Sequence, residues 1–510
     1  MDDRSAGSLI EMDHAHLQKK IINRSLGRES FLLRRATTAD WCDLALVTID
    51  ILPDDVLLVI FDYYVAEAYK YRKFEEWQTL VHVCQNWRYV VFRSPLRLDL
   101  RILCTAETPV REKLAIWPSF PLIIAQSTFS TSKSGEDNII AALEHNDRIS
   151  KIALVIPSSL LESVFTAMQK TFVALKHLWL YTMDDTAPVV SDSFLAPHLQ
   201  YLWLTCVPFP FPVLRKLLLS APNLVLLYLH LIPHSGYFSP EAMATCLSML
   251  TRLEHLCIEF KSPLSRPPRE GQHHPLTRSV LPALVKLTFV GVSEYLEELV
   301  TRIDAPSLGQ LHITFFHQLV FDTTPRLVQF ISRTPKLKAY DEARMTFSDS
   351  CATISLPGRD NLGLQLKILC RQSEWQLWSL AQVCTSFFPQ ALIPTPEHLY
   401  IETAFPRPHW QDDLENAQWL DLFYPFSTVK NLYLSREFVP RIVPILHEPV
   451  AERVTEVLPN LRSIFLEGPK EPGFVPENIR EFIAARQLSD RAITISHWTR
   501  QDRWPTTWYQ

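Results

Sequence analysis

Residues 175–180 read L-K-H-L-W-L, and residues 199–204 read L-Q-Y-L-W-L. The same six-residue word, L-x-x-L-x-L or a close variant, starts again at positions 224, 253, 284 and 308, so successive copies start 24, 25, 29, 31 and 24 residues apart. Alternate side chains of an extended chain point to opposite faces, so each word predicts a short strand with a leucine-rich face and a variable face. Strands that recur at a period of about 20 to 50 residues predict a stack of repeats around one continuous core.

Apolar residues at helical spacing fill the segments between the words. Residues 211–220, F-P-V-L-R-K-L-L-L-S, and residues 295–303, Y-L-E-E-L-V-T-R-I, both predict helices. Proline precedes several words, as in A-P-N-L at 221–224, and ends the preceding helix. We therefore expect an α/β fold, an irregular leucine-rich-repeat solenoid with parallel strands on its concave face and helices outside. Further strand words lie near 149, 397, 429 and 461, and the interval 361–384 predicts a strand and a helix.

Alignment of the strands by their words groups the outward side chains into rows. In the first copy Leu178 and Leu180 face inward, so the variable residues between and beside them face outward. One row carries Trp179, Trp203, Tyr228, Cys257, Thr288 and His312; the second carries His177, Tyr201, Leu226, His255, Lys286 and Gln310; the third carries Tyr181, Thr205, His230, Glu259, Val290 and Thr314. Because neighbouring strands lie about 4.8 Å apart, the aromatic residues of the first row are expected to form a ladder.

An aromatic ladder that faces solvent suits a hot spot in a protein interface. The candidate residues for binding a partner protein are Trp179, Tyr181, Tyr201, Trp203, Tyr228 and His230. Two other interpretations stay open at this point. A terminal segment could cover this face, or the aromatic rings could pack only with one another.

A different pattern occupies residues 51–92. The segment begins I-L-P-D-D-V-L-L-V-I-F, where Pro53 suits the start of a helix and the two aspartates place negative charge at its positive end. It continues at 77–92 with W-Q-T-L-V-H-V-C-Q-N-W-R-Y-V-V-F, which predicts a second short amphipathic helix. A unit of about forty residues cannot bury this much apolar surface alone, so we expect a partner or a following domain to cover it.

At these residues the chain resembles the F-box family. The resemblance covers roughly residues 49–95, and its more specific part is V-C-x-x-W-R at 83–88. The segment 65–76 departs from the family because it is longer and more charged than the usual link between these helices. The resemblance implies docking on the Skp1 adaptor of a cullin-based ubiquitin ligase through Leu52, Pro53, Val56, Leu57, Ile60, Phe61, Leu80, Val83, Cys84 and Trp87.

Irregular repeats of this kind often follow an F-box, as in the large F-box sets of mushroom-forming fungi, which the chain resembles along most of its length. The resemblance implies the substrate-recognition subunit of a Skp1-cullin-F-box ubiquitin ligase, whose repeats hold an unidentified client protein. The alternative is a repeat scaffold for protein interactions, in which the F-box-like helices only cap the first repeat. A ligase adaptor leaves Leu52, Pro53, Val56, Ile60 and Phe61 accessible, whereas a cap buries them.

Four regions follow from these patterns. Residues 1–48 form an N-terminal extension that is flexible or loosely helical, with one candidate helix at 12–23. Residues 49–95 form the F-box, residues 96–148 a linker with the first irregular repeat elements, and residues 149–510 the leucine-rich-repeat-like domain. Trp498, Trp504 and Trp508 are candidates for a C-terminal cap.

Composition and charge exclude several classes of function. The net charge is −5 and no basic run occurs, so nucleic-acid binding is not expected. No apolar stretch is long enough to span a membrane, and the opening M-D-D-R-S-A-G lacks the order of a signal peptide. The nine cysteines form no C-x-x-C pair and lie mostly in apolar segments, which favours the reducing cytosol or nucleus.

We expect no enzyme and no cofactor. The eleven glycines in 510 residues form no phosphate-binding loop, and the motifs G-x-S-x-G and H-E-x-x-H are absent. The candidates that remain are better explained otherwise: His14, His16 and the pair His273-His274 as solvated residues, the pairs Asp54-Asp55, Asp184-Asp185 and Asp412-Asp413 as caps or solvated charge, and Cys84 as a packing residue.

Overall fold

The computed structural model describes residues 52–70, 73–117, 119–127, 132–182, 194–264, 277–316, 325–337, 340–358, 363–373, 375–387, 396–404, 416–447, 457–468, 480, 484 and 492–499. Several sequence-based candidates lie outside these ranges. They are the N-terminal extension, both histidines within it, His273-His274, Asp184-Asp185, Asp412-Asp413, Trp504 and Trp508.

Helices and strands alternate along the described chain. The helices are α1 Asp54–Lys70, α2 Trp77–Val81, α3 Gln85–Arg93, α4 Val110–Ile116, α5 Lys133–Leu143, α6 Ser158–Ala167, α7 Phe211–Ser220, α8 Pro240–Leu247, α9 Ser293–Arg302, α10 Pro325–Ser332, α11 Trp375–Phe387, α12 Asn416–Phe423 and α13 Val439–His447. The strands are β1 Ile102–Cys104, β2 Leu122–Gln126, β3 Ile149–Ile156, β4 His177–Thr182, β5 Tyr201–Thr205, β6 Leu226–Ile232, β7 His255–Phe260, β8 Ser279–Val280, β9 Lys286–Gly291, β10 Ile303–Asp304, β11 Gln310–Phe316, β12 Glu342–Phe347, β13 Cys351–Pro357, β14 Gly363–Leu369, β15 His398–Thr403, β16 Asn431–Leu434, β17 Ser463–Glu467 and β18 Thr494–Trp498.

One large, mostly parallel sheet organises these elements, and the predicted α/β class is confirmed. Within the described residues it has 16 strands in the order β1-β2-β3-β4-β5-β6-β7-β9-β11-β14-β13-β12-β15-β16-β17-β18, and β8 pairs with β10 separately. Strand β13 is antiparallel to both of its neighbours, β12 and β14. The remaining pairs in the large sheet are parallel, as strand–helix–strand connections require.

The same local geometry precedes the strands that the six words predicted. Each of these strands begins two residues after the start of its word, and the first leucine of each word is fully buried. A tight turn ends at that leucine, for example where Leu224 N–H donates to Ala221 O at 3.1 Å and Leu308 N–H donates to Ala305 O at 3.1 Å. The residue after the leucine then bonds to the preceding unit, as Val225 N–H does to Gln200 O at 2.8 Å. The tight turn, the buried leucine and the backbone hydrogen bond to the preceding unit therefore fix the register of each strand together.

Buried and partly exposed side chains alternate along these strands. In β4, Leu178 and Leu180 lie in the main core, which they share with helix residues such as Leu214 and Leu217. The alternate side chains, including Trp179, are partly exposed and lie outside that core. We call the face that carries these alternate side chains the open face. The amphipathic pattern of the words thus packs one side of the sheet against the helices and leaves the open face outside that core.

Three features of the fold differ from the expectations. The first predicted short helix is 17 residues long, because it continues through residues 65–70 instead of ending in a link. The second predicted helix is two helices, α2 and α3, because Cys84 is extended and begins a new helix. The region 340–395 contains a hairpin, β12–β13, in which a polar turn at 348–350 reverses the chain.

Within the part of the chain that the structure describes, no helix combines the length and the apolar character needed to cross a bilayer.

Candidate protein-interaction surfaces

Helix α1 is apolar on two sides. One side packs inside the protein, where Leu57, Phe61 and Val65 are almost completely buried. The other side is exposed and carries Val56, Val59, Ile60, Tyr63 and Tyr64, which we call the apolar stripe. Four of these residues follow the i, i+3, i+4, i+7 spacing of a single helical face, and the exposed fractions of the five side chains range from 39% at Val56 to 75% at Tyr63. Contiguous exposed apolar faces are typical of binding surfaces, so the apolar stripe is a candidate for one.

The V-C-x-x-W-R residues hold α3 against the other two helices. The Cys84 thiol caps α3 by accepting the Trp87 N–H at 3.4 Å. The Trp87 indole packs on Phe61, with ring centroids 4.7 Å apart. The Arg88 side chain donates from Nε to Val81 O at 2.9 Å, at the end of α2. Cys84 is thus a half-buried capping residue, where we expected a packing residue.

A third side of this helical unit meets the first strand of the sheet. The Trp77 indole is fully buried, donates to Arg101 O at 2.9 Å and lies edge-on to Trp117 at 5.1 Å. The Glu75 carboxylate accepts the Leu103 N–H at 3.0 Å and forms an ion pair with Lys113. These contacts cap the edge of the sheet at β1, and they leave the apolar stripe uncovered.

The residues that the F-box resemblance assigned to adaptor binding divide by exposure. Pro53, Val56, Ile60 and Val83 are exposed, and Leu52, Cys84 and Trp87 are partly exposed. The side chains of Leu57, Phe61 and Leu80 are buried among the helices. The resemblance did not include Val59, Tyr63 and Tyr64, which lie three, seven and eight residues after Val56 and so share its helical face.

On the open face the structure places the first two aligned rows in register, whereas a register shift between β6 and β7 interrupts the third row after His230. Trp179 is paired with Trp203 across β4 and β5, and Trp203 with Tyr228 across β5 and β6. Two ring pairs stack: Trp203 on Tyr228, with centroids 4.5 Å apart, and His177 on Tyr201, also at 4.5 Å. The Trp203 Nε1–H donates to Thr205 Oγ1 at 3.0 Å, which fixes the orientation of the indole. The candidate aromatic residues therefore form an ordered, partly exposed surface.

The charged side chains beside the aromatic rows are mainly basic. His230 and Glu259 lie 2.8 Å apart between Nε2 and Oε2, so the carboxylate in these rows is already engaged. Lys286 lies in the row of His177 and Tyr201. Burial, with a smaller effect of the Lys286 charge, lowers the pKa of His312 to about 4. A neutral imidazole and an ammonium group thus stand side by side on this part of the face.

Burial makes several of the described cysteines poor nucleophiles. The thiols at 84, 104, 206, 246, 257, 351, 370 and 384 are free. Burial raises the pKa of Cys104 and of Cys246 to about 11, and it raises the pKa of Cys257 on the open face as well. A thiolate is the reactive form, so these thiols are inert near neutral pH. Among the described residues, no three histidine, cysteine, aspartate or glutamate side chains cluster to hold a metal ion.

A second aromatic row lies at the other end of the sheet, and the alignment of the strand words missed it. Tyr400, Tyr433 and Phe465 are in register on β15, β16 and β17, and their rings stack at 4.1 and 4.4 Å. Trp498 lies edge-on to Tyr433 at 5.8 Å, and the Arg344 guanidinium lies 4.5 Å from the centre of the Tyr400 ring. The signal was present, since each ring lies between two aliphatic residues of its strand word, as Tyr433 lies between Leu432 and Leu434.

The two aromatic rows differ in exposure. Tyr400 and Tyr433 are only 1% and 5% exposed, because Arg344 and Trp498 cover them. Trp203 and Tyr228 remain partly exposed. Phe465 of the second row is partly exposed as well. The rings of Trp203 and Tyr228 stack and keep part of their surface exposed, so both packing between the rings and binding of a partner remain interpretations of the first row.

Comparison with known proteins gives no identity. The chain matches no protein-family model and no curated protein sequence.

Proposed function

We propose that this chain is the substrate-recognition subunit of a Skp1-cullin-F-box type ubiquitin ligase. In this proposal the helical unit α1–α3 is an F-box that docks a Skp1-like adaptor on the cullin ligase core. The strand–helix repeats are a leucine-rich-repeat-like solenoid, and the first aromatic row binds a client protein. The chain makes no covalent bond itself; it raises the effective concentration of client lysines near a charged conjugating enzyme.

One observation carries the proposal. Helix α1 exposes a second apolar face while its first face is fixed in the helical unit. Exposed apolar surface has a cost in water that an isolated chain avoids, so a helix with two apolar faces fits a protein that works in a complex. The helical unit is also attached to the sheet through Trp77 and Glu75. A rigid attachment between docking unit and repeats suits an adaptor, because it fixes the distance between the client and the ligase core.

A repeat scaffold with the helical unit as its cap is the second candidate. The contacts of Trp77 with Arg101 and Trp117 favour it, because they seal the first strand as a cap does. The two roles use different sides of the same unit. Capping needs the Trp77 side, whereas adaptor docking needs the apolar stripe.

The test is a pull-down of the purified chain with a purified Skp1 adaptor. The variant Val56→Lys/Ile60→Lys places two charges on the exposed stripe, where neither side chain supports the core. Asp62→Lys is the matched control, because it lies on the same helix, is exposed, and changes the net charge by the same amount. We expect the wild type and Asp62→Lys to bind and the double variant to lose binding. Binding of the double variant at the wild-type level, or no binding by the folded wild type, would leave the scaffold as the function.

A further inference from the structure

The open face between β3 and β14 has a charge opposite to that of the whole chain. The chain carries a net charge of −5. Among the side chains aligned in the three rows on the described strands, Lys151, Lys286 and Lys367 are basic and Glu259 is acidic. Three lysines against one carboxylate give the aligned side chains a net positive charge, and the Glu259 carboxylate already contacts His230 at 2.8 Å.

The aromatic pair and one of the lysines lie within reach of a single peptide. In register, Lys286 is two strands away from Tyr228 and two residues lower along the strands. At about 4.8 Å per strand and 3.3 Å per residue this separation is roughly 12 Å. An extended peptide covers that distance in about three or four residues.

We propose that the open face binds an extended protein segment that has an aromatic or aliphatic anchor on Trp203 and Tyr228 and an anionic side chain, three or four residues away, at Lys286. The anionic group is a carboxylate or a phosphate. The inference deepens the proposed function, since such a segment would be the recognition signal of the client, but the surface would bind it equally in a scaffold.

The composition of the face favours an acidic peptide over other partners. A basic segment would meet Lys286 and Lys367 and be repelled. A nucleic acid needs a continuous line of cations along its backbone, whereas Lys286 and Lys367 are separated by the uncharged or neutral side chains of β11, such as His312 and Thr314. The stacked pair Trp203–Tyr228 provides a flat, rigid anchor site that loses little entropy on binding.

The experiment measures fluorescence anisotropy of labelled nine-residue peptides titrated with the whole chain. Each peptide has phenylalanine at position 3 and glutamate, phosphoserine, glutamine or lysine at position 6 or 7, with glycine and serine elsewhere. We expect the glutamate or phosphoserine peptide to bind at least about fivefold more tightly than the glutamine peptide, with the lysine peptide weakest. A preference for glutamate identifies a carboxylate ligand, and a preference for phosphoserine alone identifies a phosphate.

Two variants at the site and one control variant assign the effect to the site. Lys286→Glu is expected to abolish the anionic preference, whereas Lys336→Glu, at an exposed lysine between α10 and β12, changes the net charge equally and is expected to preserve it. Trp203→Ala is expected to weaken every peptide. Equal binding of glutamate and glutamine peptides, an unchanged preference in Lys286→Glu, or tighter binding of single-stranded DNA through Trp203 would overturn the proposal.

Peptide binding at the open face can be measured separately from binding to the Skp1 adaptor. Lys286→Glu leaves the apolar stripe of α1 intact, so its binding to the Skp1 adaptor serves as the second measurement. An anionic preference without adaptor binding would support the peptide site in a scaffold and reject the ligase subunit. Adaptor binding without an anionic preference would reject only the peptide site.

Discussion

The Trp87 indole lies against the Phe61 ring with centroids 4.7 Å apart, and this contact joins α3 to the inner face of α1. It determines which apolar side of α1 is buried. Val56, Ile60 and Tyr63 are consequently left on the outer side, where a partner can reach them. The proposed docking surface therefore depends on an internal contact between two helices.

Truncation of Phe61 separates this structural role from a binding role. We expect Phe61→Ala to lower the free energy of unfolding by about 3 to 5 kcal/mol, because it removes a fully buried aromatic side chain. Tyr63→Ala removes a side chain that is 75% exposed and is expected to change stability by less than about 0.5 kcal/mol. Urea denaturation followed by tryptophan fluorescence measures both. A stable Phe61→Ala variant would contradict the packing described for α1.

The Trp203–Tyr228 pair predicts a measurable coupling. Stacked rings at 4.5 Å are expected to contribute about 0.5 to 1.5 kcal/mol beyond the area they bury. A double-mutant cycle of Trp203→Ala and Tyr228→Ala, with stability as the readout, gives this value directly. Trp203→Ala combined with Phe465→Ala is the control, since these residues lie in different rows and their effects are expected to add. Additive effects of Trp203 and Tyr228 would mean that the rings do not stack in solution.

His312 predicts a loss of stability in acid. Its folded pKa is lowered to about 4 by burial and by Lys286, whereas an unfolded histidine titrates near 6.5. Below pH 6.5 the unfolded chain takes up a proton that the folded chain does not bind. The neutral His312 imidazole contributes to the free energy of unfolding above pH 6.5. This contribution, up to about 3 kcal/mol, is lost as the pH falls from 6.5 to 4.

The His312→Gln variant tests whether His312 causes this loss of stability at low pH. Its free energy of unfolding is expected to vary less between pH 7 and pH 4.5 than that of the wild type, as measured by denaturation at a series of pH values. Lys286→Gln removes the second cause and is expected to reduce the acid sensitivity in part. A wild-type chain whose stability rises as the pH falls through this range, with the rise absent in His312→Gln, would contradict the prediction.

The ion pair of Arg344 and Glu402 gives a test at the other end of the sheet. Arg344 Nη1 lies 3.5 Å from Glu402 Oε1, and both side chains are largely buried. Arg344→Met is expected to cost about 3 kcal/mol, because it leaves a buried carboxylate without this cation and removes the guanidinium from the Tyr400 ring.

Adding Glu402→Gln should recover part of that cost, because the uncompensated charge disappears. Thermal denaturation of the two single variants and the double variant measures the coupling between Arg344 and Glu402. Costs that simply add in the double variant would show that the pair contributes no coupling.

The sequence determined the strands of the repeats and their register. The period of two within each word fixes which side chains are inward, and the leucine that starts each word sets where the strand begins. These are local properties, so the alignment of the rows from Trp179 to His312 follows from the words alone. The start of α1 was readable for the same reason, since Pro53 and the two aspartates after it are helix-start signals.

Tertiary structure decided the rest. Helix α1 is apolar on two sides, and its periodicity cannot tell which side Trp87 will cover, because that depends on a residue 26 positions away in the chain. The antiparallel strand β13 was not predicted, although the polar turn S-D-S at 348–350 precedes it, because it does not belong to the strand words that repeat along the chain. The burial of Tyr400 and Tyr433 depends on Arg344 and Trp498, which come from distant strands. Periodicity specifies which faces of an element are apolar, whereas contacts between residues far apart in sequence select the faces that are buried and those left for a partner.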